Sequence, residues 1–344
     1  MIDDDGFGLH TSVEDAGADP FCERSDGYFS VRRQILGGSF LFESDSEALL
    51  DLVEAAYAGL PAHGLSTTAP EFRIELRLLP GQTLKGTVEP PPVRTQSGAG
   101  LLCGVMDASN YVVLAPEQRR ALVVASEDML SAPYHLRYEL IEFAVFTLAT
   151  RALGLVPLHC ACVGWDGRGV LLLGGSGSGK STLALHSLLH GLDFLSEDAV
   201  FVQPQSMLAT GVANYLHVQA DALRFVDDEE TRRWIGRAPI IRRRSGVEKF
   251  EADLRKSHGR LAAAPLQLVG AVFVCSQSAD DPGVLLSPVP GEDIAARLCA
   301  DQSYAVGQPG WHRFEQKLMQ LGVHQLHRGR HPRDSIAALC RLLE

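Results

Sequence analysis

The octapeptide Gly174-Gly175-Ser176-Gly177-Ser178-Gly179-Lys180-Ser181 carries the spacing GxxxxGK[ST]. Its residue types suit a polyphosphate. Glycines let successive backbone N–H groups converge on a phosphate, and a helix starting there adds the partial positive charge of its N-terminus. Gly175, Ser176, Gly177, Ser178, Gly179, Lys180, Ser181 and Thr182 are therefore the candidate nucleotide-binding residues. Lys180 would bridge the β- and γ-phosphates of ATP, and the Ser181 hydroxyl would coordinate Mg²⁺. Two carboxylates, Glu197 and Asp198, follow Lys180 by seventeen and eighteen residues, room for one helix, a tight turn and the start of a strand. If that strand lies parallel and adjacent to the one feeding the loop, the acids reach the phosphates. An acidic pair so soon after the loop suits a kinase, whereas transporter-type ATPases need a distant acidic strand and an LSGGQ signature that this sequence lacks. His159 falls on the approach to the loop, and taken alone a strand histidine is more often structural.

The surrounding pattern supplies the elements that must hold these residues. Leu158 to Val163 and Val170 to Leu173 read as a hairpin about Gly164–Gly169, a helix is expected over Ser181–His190 with Gly191 ending it, and Phe194 to Val202 reads as the acidic strand. Upstream, the pattern predicts a hairpin from Tyr28 to Phe42 broken at Gly37-Gly38. A helix through Tyr57 follows, with a Ser44–Glu47 capping box and a stripe of Leu49, Leu50, Leu52 and Val53. Phe72 to Leu78 alternates strictly as a half-wet strand, Glu89 to Gly100 reads as a loop or linker, and Leu101–Met106, Tyr111–Leu114 and Ala121–Ala125 read as strands. A long helix is expected from Ala132 to Leu153, stopped by Gly154. Three segments result: an acidic arm over 1–26, a small α+β unit over 27–130 for substrate recognition or assembly, and the P-loop domain over 131–344.

The run LHCACVGWDGRGVLLLGGSGSGKSTLALHSLLHGLDFLSEDAVFV, Leu158 to Val202, resembles the HPr kinase/phosphorylase-like family in its hairpin, P-loop, helix and acidic strand. Pro265 to Cys275 and Val323 to Leu343 resemble the closing strand and helix of related serine kinases. The resemblance implies an α/β fold akin to phosphoenolpyruvate carboxykinase, preceded by the smaller α+β domain. It implies transfer of the γ-phosphoryl group of ATP, with Mg²⁺, to a serine of a protein or peptide. Members encoded with ribosomal peptides, lasso peptides among them, phosphorylate the precursor. By the same resemblance Lys180 and Ser181 hold phosphate and metal, Glu197 takes the proton-accepting position, Asp198 the metal-associated one, and His159 packs against the catalytic carboxylate. Two departures stand out: Glu occupies 197 where the family usually has Asp, which leaves an exchange of roles between 197 and 198 open. The glycine-rich signature of true HPr kinases is missing after the acidic strand. A small-metabolite kinase and an ATP-binding protein without transfer activity are the alternative classes.

Other signals are weaker. Arg242-Arg243-Arg244 with Glu248 and Lys249 lies in a loop-like stretch, and Arg244 and Lys249 are the candidates for contact with substrate or phosphate; a solvated charge run is the plain alternative. His324, His327 and His331 lack a spacing that fixes one metal-binding face, and Asp334 is expected to cap the last helix. Net charge is −11, with 31 Lys plus Arg against 42 Asp plus Glu, which argues against broad adhesion to nucleic acid or anionic lipid. No apolar run reaches the length of a membrane span, Met1 to Asp5 do not resemble a secretory signal, and seven scattered cysteines without a CxxC pair point to a reducing cytoplasm. Homo-oligomer formation is left open.

Overall fold

The computed structural model describes residues 29–66, 69–81, 89–279, 281 and 284–344. The acidic arm expected over 1–26 lies outside them. Three sheets of mixed parallel and antiparallel strands, flanked by helices, make up a mixed α/β architecture.

In the first sheet, β1 (Phe29–Ile35) and β2 (Gly38–Ser44) form the expected hairpin. Gly38 must be glycine because a Cβ there would lie 2.5 Å from the Phe72 ring. α1 (Glu47–Tyr57) buries Leu49, Leu50 and Val53, with Leu52 only half-buried. Its capping box does not form. Ser44 ends the strand instead, donating to Leu76 O at 2.8 Å and accepting from Ser46 N at 3.0 Å, so Ser46 takes the N-cap position. β3 (Glu71–Leu79) runs parallel to β2 on one side and to β7 on the other. The stretch read as a loop contains β4 (Arg94–Gly98), exposed at every residue and paired with β5 (Leu101–Val105). Its sequence RTQSG has no apolar alternation, and pairing alone makes it a strand. β6 (Tyr111–Ala115) and β7 (Arg120–Ser126) complete the order β1-β2-β3-β7-β6-β5-β4.

The single helix expected over 132–153 is interrupted. α2 (Pro133–His135) and α3 (Glu142–Leu153) are joined by a π-helical turn, Leu136–Ile141. Such wider turns re-aim side chains and often lie at functional sites; this one carries Arg137, Tyr138 and Glu139. Gly154 ends α3 with φ of 62°.

The second sheet holds β8 (Val156–Leu158), β9 (Ala161–Trp165) and β10 (Arg168–Leu173). Next come α4 (Lys180–Leu189), β11 (Asp193–Ser196), β12 (Val200–Gln203) and β13 (Leu208–Gly211). The chain then leaves for a three-stranded sheet of β14 (Tyr215–Val218), β15 (Ile240–Arg242) and β16 (Glu248–Asp253), with α5 (Glu229–Gly236) between β14 and β15. It returns through β17 (Leu266–Ser278), β18 (Leu286–Pro288), α6 (Gly291–Asp301), α7 (Trp311–Leu321), β19 (Val323–Arg328) and α8 (Pro332–Leu343). The basic stretch at 242–249 is thus the turn of a β15–β16 hairpin rather than a free loop.

Two expected strands are each broken in two, and the breaks face one another. β8 pairs with β12 through Leu158↔Val200, while β9 pairs with β11 through Cys162↔Ser196, so 156–165 and 193–203 run side by side through a shared kink. Residues 159–160 and 197–199 are the kink. His159 therefore sits in a bend, not on a strand, and Glu197 and Asp198 lie between strands. β11 is also not the direct neighbour of β10. β9 intervenes, antiparallel to both, because the hairpin partner of β10 takes that edge and β17 takes the other, parallel one. No helix among the described residues is long and apolar enough to cross a membrane.

Candidate active site

The loop between β10 and α4 is built by backbone freedom. Gly174, Gly177 and Gly179 have φ of 132°, 79° and 104°, and a Cβ on Gly174 would come within 2.9 Å of Val274 O. These left-handed positions are ones that side-chain-bearing residues rarely adopt. α4 starts at Lys180, one residue before the expected start. The Lys180 ammonium donates to Gly174 O and, at 3.2 Å, to Gly175 O. Gly175 to Thr182 all line one cleft of about 650 Å³. Ser178 Oγ is buried there with no hydrogen-bond partner, a polar atom aimed at the loop interior.

The kink brings both acids to this loop with different partners. Glu197, 5% exposed, accepts a hydrogen bond from Ser181 Oγ on Oε1 and from the backbone N and Nδ1 of His217 on Oε2, at 3.1 and 3.0 Å. Lys249 Nζ lies 4.0 Å from Oε1. Asp198 accepts from Arg243 Nη2 at 2.6 Å and Tyr138 OH at 3.1 Å on Oδ2, and His159 Nε2 lies 3.0 Å from Oδ1. Ser181 thus meets Glu197 rather than Asp198, and His159 meets Asp198 rather than Glu197. Magnesium prefers hard oxygen donors. The adjoining Ser181 hydroxyl and Glu197 carboxylate fit that preference, and Oδ2 of Asp198 already accepts from Arg243 and Tyr138.

Electrostatics keep both acids ionised. Burial works to raise the Asp198 carboxyl, but the His159 hydrogen bond and the Arg243 charge hold it well below the ordinary range. Burial likewise opposes ionisation of Glu197, and the bond from His217 with its charge outweighs it. His217 is itself lowered by burial and raised, on balance, by the two carboxylates it faces, Glu197 on Nδ1 and Glu251 on Nε2 at 3.3 Å. Glu251 continues to Arg137 Nη2 at 2.5 Å, and Arg137 Nε lies 3.9 Å from Glu142. A buried chain of charge therefore runs from the cleft to the π-helical turn.

Both basic candidates, Lys249 and Arg244, line the cleft. Arg244 also ties the hairpin turn to other segments, donating to Glu139 of the π-helical turn at 2.6 and 2.5 Å, to Glu89 at 3.0 Å and to the carbonyls of Pro90 and Pro91. Its neighbour Arg243 is the one on Asp198, with Nη1 donating to Tyr134 OH at 2.9 Å. His331 caps α8 as part of a capping box whose second member is Asp334, so Asp334 serves the cap while a histidine occupies the N-cap position. Among the described residues no group of three or more His, Cys, Asp or Glu could hold a metal ion, and Cys160 and Cys162 are fully buried free thiols. Sequence reasoning missed His217, Glu251, Tyr138 and the individual role of Arg243. Only the arginine run gave any signal. No protein-family model matches the chain, and no curated protein matches it.

Proposed function

We propose that this chain is a kinase similar to the HPr kinase/phosphorylase-like family, transferring the γ-phosphoryl group of ATP to a serine hydroxyl of a protein or peptide. A ribosomal precursor peptide is one acceptor of that class. The observation that carries the reading is the meeting of a glycine-built phosphate loop with two ionised carboxylates of different surroundings, Glu197 on Ser181 and Asp198 on His159. A second acid beside the loop supplies the proton acceptor that transfer requires and nucleotide binding alone does not.

The geometry favours the exchanged assignment of roles. Ser181 and Glu197 would hold Mg²⁺, which supplies charge neutralisation at the phosphate oxygens. Asp198 would take the acceptor hydroxyl. The serine oxygen forms a bond to the γ-phosphorus, the bond from that phosphorus to the β–γ bridging oxygen breaks, and the serine proton ends on Asp198. Phosphoryl transfer passes through a loose transition state in which positioning and charge matter more than strong basicity. A carboxylate held in its ionised form is suited to that. His159 fixes the orientation of Asp198, Lys180 stabilises charge on the departing phosphates, and Arg243 neutralises the acid side of the cleft.

Incubation with Mg-ATP and candidate peptides, read by mass spectrometry for one added phosphate, tests the reading. Asp198→Asn is expected to lower the rate about 10²–10⁴-fold with nucleotide affinity kept. Glu197→Gln is expected to raise the Mg²⁺ concentration needed for half-maximal rate. Full transfer by Asp198→Asn would return the proton-accepting role to Glu197, and turnover of small metabolites alone would move the chain to a different kinase class.

A further inference from the structure

The kink takes the backbone of His159 out of the sheet. Leu158 is the last residue of β8 paired with β12 and Ala161 the first of β9 paired with β10, which leaves His159 and Cys160 without a strand alongside. Backbone N–H and C=O groups displaced in this way need other partners.

One side chain supplies both. Gln302, 0% exposed at the C-terminal end of α6, accepts from His159 N on Oε1 at 2.8 Å and donates from Nε2 to His159 O at 3.1 Å. The amide fills the place of a neighbouring strand. Its orientation is set from the other side, where Nε2 also donates to Asp301 Oδ2 at 2.7 Å and Tyr304 OH donates to Oε1 at a longer 3.4 Å. Oxygen and nitrogen of the amide are thus each engaged twice, as burial of an amide requires.

Asp301 Oδ2 accepts as well from the backbone N of Gly174, which opens the phosphate loop, at 3.3 Å. A path of hydrogen bonds therefore runs from the loop through Asp301 and Gln302 to His159, whose Nε2 lies 3.0 Å from Asp198 Oδ1. Gly174 and Asp301 stand 127 residues apart in the chain, and His159 and Gln302 143, so the end of α6 is a bracket supplied by tertiary folding. With 57% of its side chain exposed, His159 is only loosely fixed by packing, and the setting of its backbone decides where the imidazole lies.

We propose that Gln302 is a positioning residue of the active site: it stands in for the missing strand at residue 159 and so sets the His159 imidazole against Asp198, while Asp301 ties the same amide to the phosphate loop. Its effect on rate rests on the phosphoryl-transfer reading above; its effect on His159 rests on the hydrogen bonds alone.

The test compares wild type, Gln302→Met, His159→Ala and the double variant as full chains. Methionine fills the space of Gln302 without a hydrogen-bonding amide. Turnover is measured with Mg-ATP and a serine peptide that the wild type phosphorylates in the mass-spectrometric screen above. Gln302→Met is expected to lower kcat about 10–100-fold while KM for ATP moves by no more than about 3-fold. In the His159→Ala background the same substitution should cost nothing further, because the two residues act as one unit. An equal loss in both backgrounds, or an unchanged kcat, overturns the proposal. A second readout needs no turnover. In NMR spectra of histidine-labelled protein at fixed pH, the His159 Nε2 resonance, assigned by its loss in His159→Ala, should move toward that of a free histidine in Gln302→Met; an unmoved resonance also overturns the proposal. If Gln302→Met fails to melt cooperatively, Gln302→Asn, which keeps a buried amide and draws it back by one methylene, takes its place. Wild-type protein that transfers phosphate to nothing while this resonance moves would sink the kinase reading and leave the positioning of His159 standing.

Discussion

Asp198 accepts from Arg243 and Tyr138 and lies against His159, and of these Arg243 is the charge that one substitution removes without touching the kink. Because that charge holds the Asp198 carboxyl down, Arg243→Met must raise it. The acid limb of the kcat/KM profile is expected at higher pH in Arg243→Met than in the wild type; coincident limbs would separate Arg243 from the ionisation of Asp198. A second titration belongs to stability. His186 is buried with neither ring nitrogen partnered, and burial, then the nearby His331, lowers its pKa to about 4. Unfolded, it titrates near 6.5, so the unfolded chain binds the extra proton first and stability falls as pH drops from about 6.5 toward about 4. His186→Phe is expected to flatten the melting temperature across that window, measured by calorimetry at fixed ionic strength. Neither His186 nor His217 was legible as special in the sequence. Each is one histidine in an apolar stretch, and what distinguishes them is who faces them from distant parts of the chain.

The kinked pair of strands is the element that makes the site, and its closure depends on a glycine. A Cβ on Gly211 of β13 would lie 2.6 Å from Ser196 Cβ and 3.1 Å from Leu195 O, just ahead of Glu197. Gly211→Val is therefore expected to cost about 1–3 kcal/mol, read as a lower urea midpoint. It should also weaken nucleotide binding, because the displaced segment carries the Glu197 that holds Ser181. A variant that loses stability with full nucleotide affinity would show that closure and site are independent. The loop, its strand and its helix were readable because their requirements are local: spacing, glycine and an apolar run. The kink was not, since both halves of 193–203 are apolar and continuous alternation looks the same whether or not a strand changes neighbours.

Across the molecule, the first unit is joined to the rest by polar contacts, buried at His63 and exposed at Tyr215, and by aromatic packing. His63 lies between Thr210 Oγ1 at 2.8 Å and Ala262 O at 2.9 Å, Tyr215 OH donates to Ala55 O at 2.9 Å, and Phe146 packs on Phe201 at 5.0 Å. His63→Ala leaves two buried groups without their partner, expected to cost about 1–3 kcal/mol for each. Its melting temperature should fall, and limited proteolysis between the two sheets should quicken. An unchanged melting temperature and cleavage rate would show that apolar packing alone holds the units. The chain His217–Glu251–Arg137 links the π-helical turn to Glu197.

By itself the sequence determined that a glycine-rich loop of phosphate-binding pattern exists, where its lysine and serine stand, and that two acids follow it on a short tether, because each of these depends on neighbours along the chain. Only the tertiary structure decided which acid meets Ser181 and which meets His159. Adjacent residues in a kink point to different partners, and those partners come from segments as far apart in the chain as 138, 217 and 243. The sign of the charge around each acid, and hence its chemistry, is a property of that convergence.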